Sequence, residues 1–342
     1  MDGSGLLAPL GVRLPVLAAP MAGGASTAAA VIAAARAGSI GFVPAGYRSA
    51  EQFAQQLAEA RAGGSLLGAN LFAPPAIPVD PEAYARYRSS LAPEAAELGV
   101  ELPPVPREDD DDWAAKLSVL REDPVPVVSF TFGLPDARTV AALRAGGTVV
   151  LQTVTTAAEA RAAAERGVDG LVVQGHLAGG HSGTLTPERP PAAVPLPELV
   201  RSVIGATGLP VVAAGGIAEG AQLAAVLAAG AEAAAVGTAL LRASESGASA
   251  THRAALADPA FTETAITRAF TGRPARGLRN GFMDRHRDAP LGYPALHHLT
   301  APLRRAAVAG GDAGRLHLWA GAGFREAKEL PVAEILSSIA DG

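Results

Sequence analysis

The chain has 342 residues, of which 49% are hydrophobic and only 4% aromatic, and its formal net charge is −5. This length suits two average domains or one α/β barrel with additions. The mild negative charge gives no electrostatic basis for binding nucleic acid or an anionic membrane. The sequence contains no cysteine, which excludes disulfides, thiolate metal sites and a cysteine nucleophile.

The N-terminus has no basic region followed by an apolar run and a cleavage site, so no signal peptide is predicted. Gly, Pro or charged residues interrupt every apolar run well before it reaches a membrane-spanning length. We therefore expect a soluble, cytoplasmic protein without membrane or nucleic-acid partners.

Short apolar runs alternate with alanine-rich helical segments along the first 243 residues, which indicates a parallel sheet. The predicted strands are 15–19, 40–43, 66–70, 125–130, 148–154, 170–174, 209–214 and 233–236. Ser26 or Thr27 and Ser49 are the predicted caps of the first two helices. Eight units of near-equal period predict a closed (β/α)8 TIM barrel, with a doubly wound open sheet as the alternative fold.

The regular alternation stops between about 73 and 112, where prolines cluster and Glu108–Asp112 form an acidic run. We interpret this stretch as an insertion with short helices around Pro81–Leu98. The acidic run is predicted to be the solvated entrance to a helix, because Asp favours the positive N-terminal end. Its four adjacent Asp residues lack ligand spacing, so no metal site is predicted.

The composition changes again after residue 243. Residues 244–323 predict a smaller, mainly helical subdomain that covers the substrate, and residues 324–342 predict a closing helix that returns to the barrel, with Pro331 as a potential break. The subdomain carries several arginines that either meet an acidic substrate or, as we favour, form surface and inter-domain pairs. They are Arg268, Arg273, Arg276 and Arg279.

The active site of a (β/α)8 barrel lies at the carboxyl ends of its strands. Several conspicuous residues lie at the carboxyl ends of predicted strands or in the loops that follow them: Met21, Asn70, Gln174, His181, Gly216 and Thr238. Their convergence on one rim follows from the strand assignment. The sequence therefore predicts that this rim carries the chemistry.

Two glycine turns, Gly215-Gly216 and Gly237-Thr238, lead from the last two barrel strands toward helices. Free backbone N–H groups at such places bind phosphate, although plain tight turns are the alternative. The chain lacks a Walker lysine and a G-x-G-x-x-G after a strand, so backbone binding at the barrel mouth favours FMN. The amides of Asn70 and Gln174 either pair with a flavin ring edge or satisfy loop backbone.

His181 follows a pair of glycines, Gly179 and Gly180, on the loop after the sixth strand. Glycine allows close approach of backbone to a ligand, and an imidazole can accept a proton from a substrate near neutral pH. A flexible surface turn with incidental histidines is the alternative interpretation of this loop.

Six motifs occur in a fixed order along nearly the whole chain. They are Ala18-Ala-Pro-Met-Ala-Gly-Gly24, Gly68-Ala-Asn-Leu-Phe72, the Gln-Gly-x-x-Ala-Gly-Gly-His stretch from Gln174 to His181, Val212-Ala-Ala-Gly-Gly-Ile217, Val236-Gly-Thr238 and Trp319-Ala-Gly321. Together they resemble the nitronate monooxygenase family, formerly called 2-nitropropane dioxygenases. FMN-dependent enoyl-acyl carrier protein reductases and some quinone reductases share part of this pattern.

The resemblance implies an FMN-dependent oxidoreductase that converts alkyl nitronates, or nitroalkanes after loss of an α-proton, with O2 to carbonyl compounds and nitrite. It implies that His181 is the catalytic base and that no metal takes part. The implied FMN contacts are Pro20, Met21, Gly23, Asn70, Gln174, Gly179, Gly180, Gly215, Gly216, Ala235, Val236, Gly237 and Thr238.

One departure from the family pattern concerns the histidine loop, where Leu177 stands in place of the usual Glu and His176 precedes it. His176 either compensates for the lost charge or, as we favour, is an ordinary loop residue. An FMN-dependent NAD(P)H reductase of enoyl or quinone substrates is the alternative function, and a barrel that binds without catalysis is a third hypothesis. A homodimer is compatible with the sequence.

Overall fold

The computed structural model describes residues 5–64, 66–74 and 78–342. Eight parallel strands form a closed barrel, in which the first strand pairs with the last through Val16↔Ala234 and Ala18↔Val236. The predicted (β/α)8 barrel is therefore confirmed, and the open-sheet alternative is wrong. The barrel strands are β1 (Val16–Ala18), β2 (Gly41–Pro44), β3 (Leu67–Ala73), β4 (Val127–Phe132), β5 (Val149–Val154), β6 (Gly170–Gln174), β8 (Val211–Ala214) and β9 (Ala233–Val236).

Side chains alternate between the two faces of each barrel strand, as the pleat requires. Leu17, Phe42 and Leu151 belong to the cluster that fills the barrel, whereas Val16 and Val43 pack outward against the helices. These residues are all nearly fully buried. The strands are therefore covered on both faces, which explains their almost uninterrupted apolar sequences.

Helices between the strands form the outer layer: α1 (Ala28–Arg36), α2 (Ala50–Arg61), α5 (Trp113–Glu122), α6 (Ala137–Ala145), α7 (Ala157–Ala164), α8 (Leu196–Thr207) and α9 (Gly220–Ala228). Thr27 caps α1 by accepting from the Ala30 N–H, and Ser49 forms a capping box at α2, as predicted. Ser26 instead accepts from the backbone N–H of Met21 at 2.9 Å and so shapes the loop after β1.

The insertion contains α3 (Pro81–Ser90) and α4 (Ala92–Leu98), as the sequence predicts. Their buried side chains, Tyr84, Tyr87 and Leu91, pack with the leucines of α12 (Ala295–Ala309) in a second hydrophobic core. The insertion and the C-terminal subdomain thus form one layer above the barrel rim.

The expectation that the acidic run is solvated is only half right. Asp110 and Asp112 are exposed, but Asp111 turns inward and pairs with the almost fully buried Lys116 at 2.8 Å. Asp109 pairs with His298 of α12 at 2.8 Å. A buried charge requires a partner, and the sequence could not show that Lys116 and His298 lie next to these two aspartates.

The C-terminal subdomain is mainly helical, with α10 (Ala250–Ala257), α11 (Gly281–Arg285) and α12, but it also contains a β-hairpin that we did not predict. The hairpin consists of β10 (Thr264–Thr267) and β11 (Ala275–Leu278), and it continues into the two-residue strand β7 (Gly180–His181). The registers Ala275↔His181 and Arg276↔Gly180 attach the histidine loop to the subdomain.

The predicted closing helix over 324–339 is wrong in its first half. Only a short 3-10 turn (Phe324–Glu326) forms there, and α13 (Val332–Asp341) begins after Pro331. Proline is tolerated at a helix start and not in its interior, so it marks the boundary. The helix packs against α1 and α9 of the barrel. Within the described ranges, no helix combines the length and the apolar character needed to cross a bilayer.

Candidate active site

A cavity of about 470 Å³ opens at the carboxyl ends of the barrel strands. This volume lies in the range of small-molecule and cofactor sites. Every site residue predicted from the sequence lies in its wall: Pro20, Met21, Gly23, Asn70, Gln174, Gly179, Gly180, His181, Gly215, Gly216, Ala235, Val236, Gly237 and Thr238. The structure thus brings them together around one space.

One side of the cavity is built largely from backbone. Gly215 and Gly216, directly after β8, have φ values of +118° and +73°, which residues with a Cβ rarely adopt. Within the described residues, the N–H groups of Gly216, Gly237 and Thr238 donate to no protein acceptor. Free amides of this kind are suited to an anionic group such as phosphate.

Neither glycine turn leads directly into an α-helix, contrary to the sequence prediction. Helix α9 begins only at Gly220, and Thr238 opens a single 3-10 turn (Thr238–Leu240) instead of an α-helix. Free amides are therefore present without the aligned dipole of a long helix. The Thr238 hydroxyl accepts from the Gly321 N–H at 2.9 Å and retains its own proton as a donor.

Gly179 is required by close packing of two chain segments. A Cβ at this position would lie 2.5 Å from the Gly321 nitrogen and 2.6 Å from the Ala320 carbonyl carbon. The loop after β6 therefore rests directly on the backbone of the Trp319-Ala-Gly321 motif, which explains why these two distant motifs occur together.

The two amides at the cavity floor differ in how their hydrogen bonds are used. Asn70 donates to Ser129 and Thr131, and its Oδ1 has no partner within the described residues. Gln174 accepts from the Gly183 N–H at 2.7 Å and donates to the His181 carbonyl at 3.1 Å. Gln174 therefore satisfies the backbone of the histidine loop, which is the alternative to pairing with a flavin ring edge.

The half-buried His181 ring lies in the cavity wall with its Nε2 2.9 Å from the Thr271 hydroxyl. Burial, together with the positive charges of Arg273 and Arg304, lowers the pKa of His181 to about 3. The imidazole is consequently neutral near pH 7 and can accept a proton.

Aromatic rings surround His181, and the sequence analysis identified only Trp319 among them. Phe132 and Tyr293 meet the imidazole edge-on at 5.6 Å, and Trp319 lies at 5.5 Å. Phe132 has an unusual φ of +81°, which directs its ring from the end of β4 toward the histidine. This apolar packing is the main physical cause of the lowered pKa.

Arg304 and His297 of α12 also line the cavity, and sequence reasoning missed both. Arg304 donates to the His297 carbonyl at 2.7 Å, and His297 stacks on Tyr47 with a ring separation of 4.2 Å. The two residues are seven positions apart, so they share a helix face, and this spacing is the signal that could have revealed them.

Buried positive charge dominates the electrostatics of this side. Arg304 is 8% exposed and Arg273 is 2% exposed, and no ion pair to either forms within the described residues. Burial lowers the pKa of each to about 10, so both remain charged at neutral pH. The described part of the cavity wall contains no Asp or Glu. The site therefore favours an anion.

The four arginines of the subdomain serve different purposes. Arg273 donates to the carbonyls of Ser182 and Thr184 and lies 4.1 Å above the Phe132 ring. Arg276 donates to the His176 carbonyl, Arg279 pairs with Glu263 and Asp284 at the surface, and Arg268 is half-buried. Of the expected surface and inter-domain contacts, Arg279 makes the surface pairs, and Arg273 and Arg276 make inter-domain hydrogen bonds to the loop after β6.

The unusual neighbours of the glycine pair lie outside the cavity wall. Leu177 is 38% exposed and covers Gly216. A Cβ built on Gly216 would lie 3.1 Å from the Cβ of Leu177. His176 also faces away from the main cavity, which agrees with its interpretation as a loop residue.

The fold and the site define the chain as a (β/α)8 barrel with a ligand-sized cavity at the carboxyl ends of its strands. Residues 6–342 match the family model described as nitronate monooxygenase, and the chain belongs to this family. A nitronate monooxygenase from Pseudomonas aeruginosa is 38% identical over 342 residues, covering 97% of each protein.

Two solved structures extend the comparison. A nitroalkane oxidase from Streptomyces ansochromogenes has a TM-score of 0.94 and 47% identity, covering 98% of this chain and 97% of the other. FabK from Thermotoga maritima has a TM-score of 0.75 and 26% identity, covering 98% and 94%. The barrel and its additional layer are thus shared over nearly the whole length.

Proposed function

We propose that this protein is an FMN-dependent nitronate monooxygenase, which oxidises alkyl nitronates with O2 to carbonyl compounds and nitrite. One observation carries the proposal: a neutral imidazole, His181, shares a single cavity with a rim of free backbone amides and with the buried Arg304. The rim suits a phosphate-bearing cofactor, and the buried arginine suits an anionic substrate.

The residues of the rim fit FMN. The amides of Gly216, Gly237 and Thr238 offer donors to a phosphate, and the Oδ1 of Asn70 offers an acceptor to a ring N–H. The absence of a Cβ at Gly23 and Gly180 leaves room for close approach. Bound FMN would supply the one-electron oxidation chemistry that no amino-acid side chain provides.

The protein's own residues act on the substrate. The positive charge of Arg304 attracts the nitronate and stabilises its oxygens, and the aromatic wall excludes water. His181 accepts the α-proton when the substrate arrives as a neutral nitroalkane. Because its pKa is low, His181 is a weak base, and we expect preformed nitronates to be better substrates than nitroalkanes.

The direct test uses the purified protein. We expect a yellow flavin spectrum, consumption of O2 in the presence of an alkyl nitronate, and stoichiometric release of nitrite. A colourless protein that does not take up FMN would contradict the proposal. Flavin present without nitronate-dependent nitrite release would contradict the assigned reaction.

The base role is tested by His181→Asn. We expect turnover of neutral nitroalkanes to fall by about 10²- to 10⁴-fold, the range typical of a general base, with a much smaller effect on nitronates. His176→Asn, five residues earlier and outside the cavity wall, is the matched control and should leave both rates unchanged. Equal losses on both substrates would rule out the base role.

A second candidate is an FMN-dependent NAD(P)H reductase of enoyl or quinone substrates. The likeness to FabK at 26% identity favours it. Anaerobic addition of NADH or NADPH separates the two: rapid bleaching of the flavin without nitronate would support the reductase. The buried Arg304 argues for an anion beside the cofactor, so we expect nitronate to reduce the flavin faster than either nucleotide does.

A further inference from the structure

Thr271 lies beside His181 in the cavity wall, and neither the sequence motifs nor the proposed function assigns it a role. It is 1% exposed, and its Oγ1 lies 2.9 Å from the Nε2 of His181. The second ring nitrogen of His181, Nδ1, has no hydrogen-bond partner within the described residues. In the neutral ring, a proton on Nε2 leaves Nδ1 with a free lone pair, whereas an unprotonated Nε2 leaves Nδ1 with the proton. The protonation of Nε2 therefore determines whether Nδ1 can accept a proton from a substrate.

The hydrogen bonds of the Thr271 hydroxyl can be counted. A hydroxyl has one proton to donate and two lone pairs to accept with. The Arg273 N–H donates to Thr271 Oγ1 at 3.4 Å, and Oγ1 donates to the Arg273 carbonyl at the same distance. One lone pair is then left, and the group that lies against it is His181 Nε2.

The opposite arrangement is less favourable. If the hydroxyl donated its proton to His181, the Arg273 carbonyl would lose Thr271, its one donor among the described residues. Arg273 is 2% exposed, so water could not replace that donor. An unpaired buried carbonyl costs about 1–3 kcal/mol. The complete count therefore favours a proton on Nε2.

We propose that Thr271 is a positioning residue that holds neutral His181 in the Nε2–H tautomer, so that the lone pair of Nδ1 faces the cavity. This inference rests on the proposed function for its kinetic consequence, but the tautomer itself is a property of the protein. Without Thr271, His181 could present Nδ1–H, which donates a hydrogen bond to a nitronate but cannot accept a proton.

In the proposed proton step, the α-proton of a nitroalkane moves to His181. The α-C–H bond of a nitroalkane breaks, its proton bonds to Nδ1 of His181, and its electron pair moves into the nitro group to give the nitronate. His181 becomes an imidazolium whose Nε2–H still donates to Thr271. Preformed nitronates skip this step, so Thr271 should matter for nitroalkanes and hardly for nitronates.

Nitrogen-15 NMR of the holoenzyme labelled at histidine tests the tautomer without relying on activity. The His181 signal is identified by its loss in His181→Gln, and two-bond nitrogen–proton correlations at pH 7.5 show which ring nitrogen carries the proton. We expect Nε2–H in the wild type and in Thr271→Ser, which keeps the hydroxyl. Thr271→Val, which matches threonine in shape, should give Nδ1–H or a mixture.

An Nδ1–H tautomer in the wild type would overturn the proposal, and so would an unchanged Nε2–H tautomer in Thr271→Val. The kinetic readout is the ratio of two rates. We expect Thr271→Val to lower kcat/KM for nitroalkanes by about 10- to 100-fold, less than the roughly 10²- to 10⁴-fold expected for loss of the base itself, with little change for nitronates and rescue in Thr271→Ser. Equal losses on both substrates would also overturn it. If the wild type oxidises no nitronate, the proposed function fails, and the NMR result still decides the tautomer.

Discussion

The two sides of the cavity are built in different ways. The side formed by the loops after β1, β8 and β9, together with the glycines that precede His181, presents mainly glycine and free backbone amides, among them those of Gly216 and Gly237. The opposite side presents the side chains of His181, Tyr47 and Arg304, which come from distant parts of the chain. The first side suits a cofactor and the second a substrate.

This difference shows which properties of the site the barrel provides by itself. Backbone amides at strand ends are fixed once the barrel closes, because their positions follow from the strand register. The side chains of the second side are positioned only when the insertion and the subdomain pack against the rim. Changes to each side should therefore have separable effects, on flavin binding in one case and on substrate handling in the other.

The largest effect is expected from Gly179→Ala on the backbone side. The new Cβ would lie 2.5–2.6 Å from backbone atoms of Ala320 and Gly321. Backbone atoms cannot move aside as the end of a flexible side chain can. We expect loss of bound flavin and a free energy of unfolding lower by about 3 kcal/mol or more, because overpacking against backbone forces both loops apart. Flavin content after gel filtration and urea unfolding measure the two quantities.

Gly205→Ala is the matched control for this substitution. Gly205 lies inside α8, and a Cβ there meets nothing within 4 Å. The same chemical change should stabilise the protein by about 0.5–1 kcal/mol, since alanine favours a helix, and should leave flavin content unchanged. Retention of flavin in Gly179→Ala would show that the backbone side is less rigid than the contacts indicate.

Lys116→Met tests how the substrate side is supported. Lys116 is 1% exposed and pairs with Asp111, whose other oxygen accepts from the Tyr47 N–H at 2.9 Å. Burial raises the pKa of Asp111, and the bond to Lys116 opposes that rise. Removal of Lys116 leaves a largely buried carboxylate without its partner, and we expect the free energy of unfolding to fall by about 3 kcal/mol.

The double variant Lys116→Met, Asp111→Asn should recover part of this loss, because it removes the uncompensated charge as well. Asp110→Asn, in the exposed part of the same acidic run, should change stability by less than about 0.5 kcal/mol. Since Tyr47 belongs to the substrate side, flavin content should stay normal in all three variants. A double variant no more stable than Lys116→Met would contradict the ion-pair explanation.

The contrast between the two sides also explains how far the sequence could predict this molecule. The eight strands and the rim residues Asn70, Gly216 and Thr238 followed from local patterns, because hydrophobic periodicity and glycine at strand ends are readable within a few residues. Arg304, Tyr47 and Thr271 could not be placed, because their proximity to His181 depends on packing between segments 90 or more positions apart or on an unpredicted hairpin.

Arg304→Met tests the charge of the substrate side. We expect KM for an alkyl nitronate to rise by about 10- to 100-fold, corresponding to about 1.5–3 kcal/mol for a hydrogen bond to a charged group. The pKa of His181 should rise, because the charge of Arg304 helps to lower it. Flavin content should be normal. Arg305→Met, at the exposed neighbouring position, is the control and should leave KM unchanged. An unchanged KM in Arg304→Met would show that the anion binds elsewhere.

The smallest effect is on stability and comes from His252, a histidine of the cavity wall that is neutral at pH 7 in the folded protein. It appears only on acidification. Burial lowers the pKa of His252 to about 4, although its hydrogen bond to the Trp319 carbonyl opposes the shift. Between pH 6.5 and about 4 the unfolded chain therefore binds a proton that the folded protein excludes, so stability falls as the pH is lowered through this window. At pH 5 this single group costs about 2 kcal/mol relative to pH 7.5.

His252→Gln retains a donor for the Trp319 carbonyl and removes the titration. Urea unfolding at fixed FMN concentration should show a loss of stability between pH 7.5 and pH 5 that is about 2 kcal/mol smaller in the variant than in the wild type. The buried carboxylate Glu94 does not contribute to the pH dependence in this window. Burial raises its pKa, but hydrogen bonds from His286 and Arg285 outweigh burial and lower it to about 2. An identical pH dependence in both proteins would mean that folding leaves the pKa of His252 at its unfolded value. The substrate side would then be more open to water than its aromatic wall indicates.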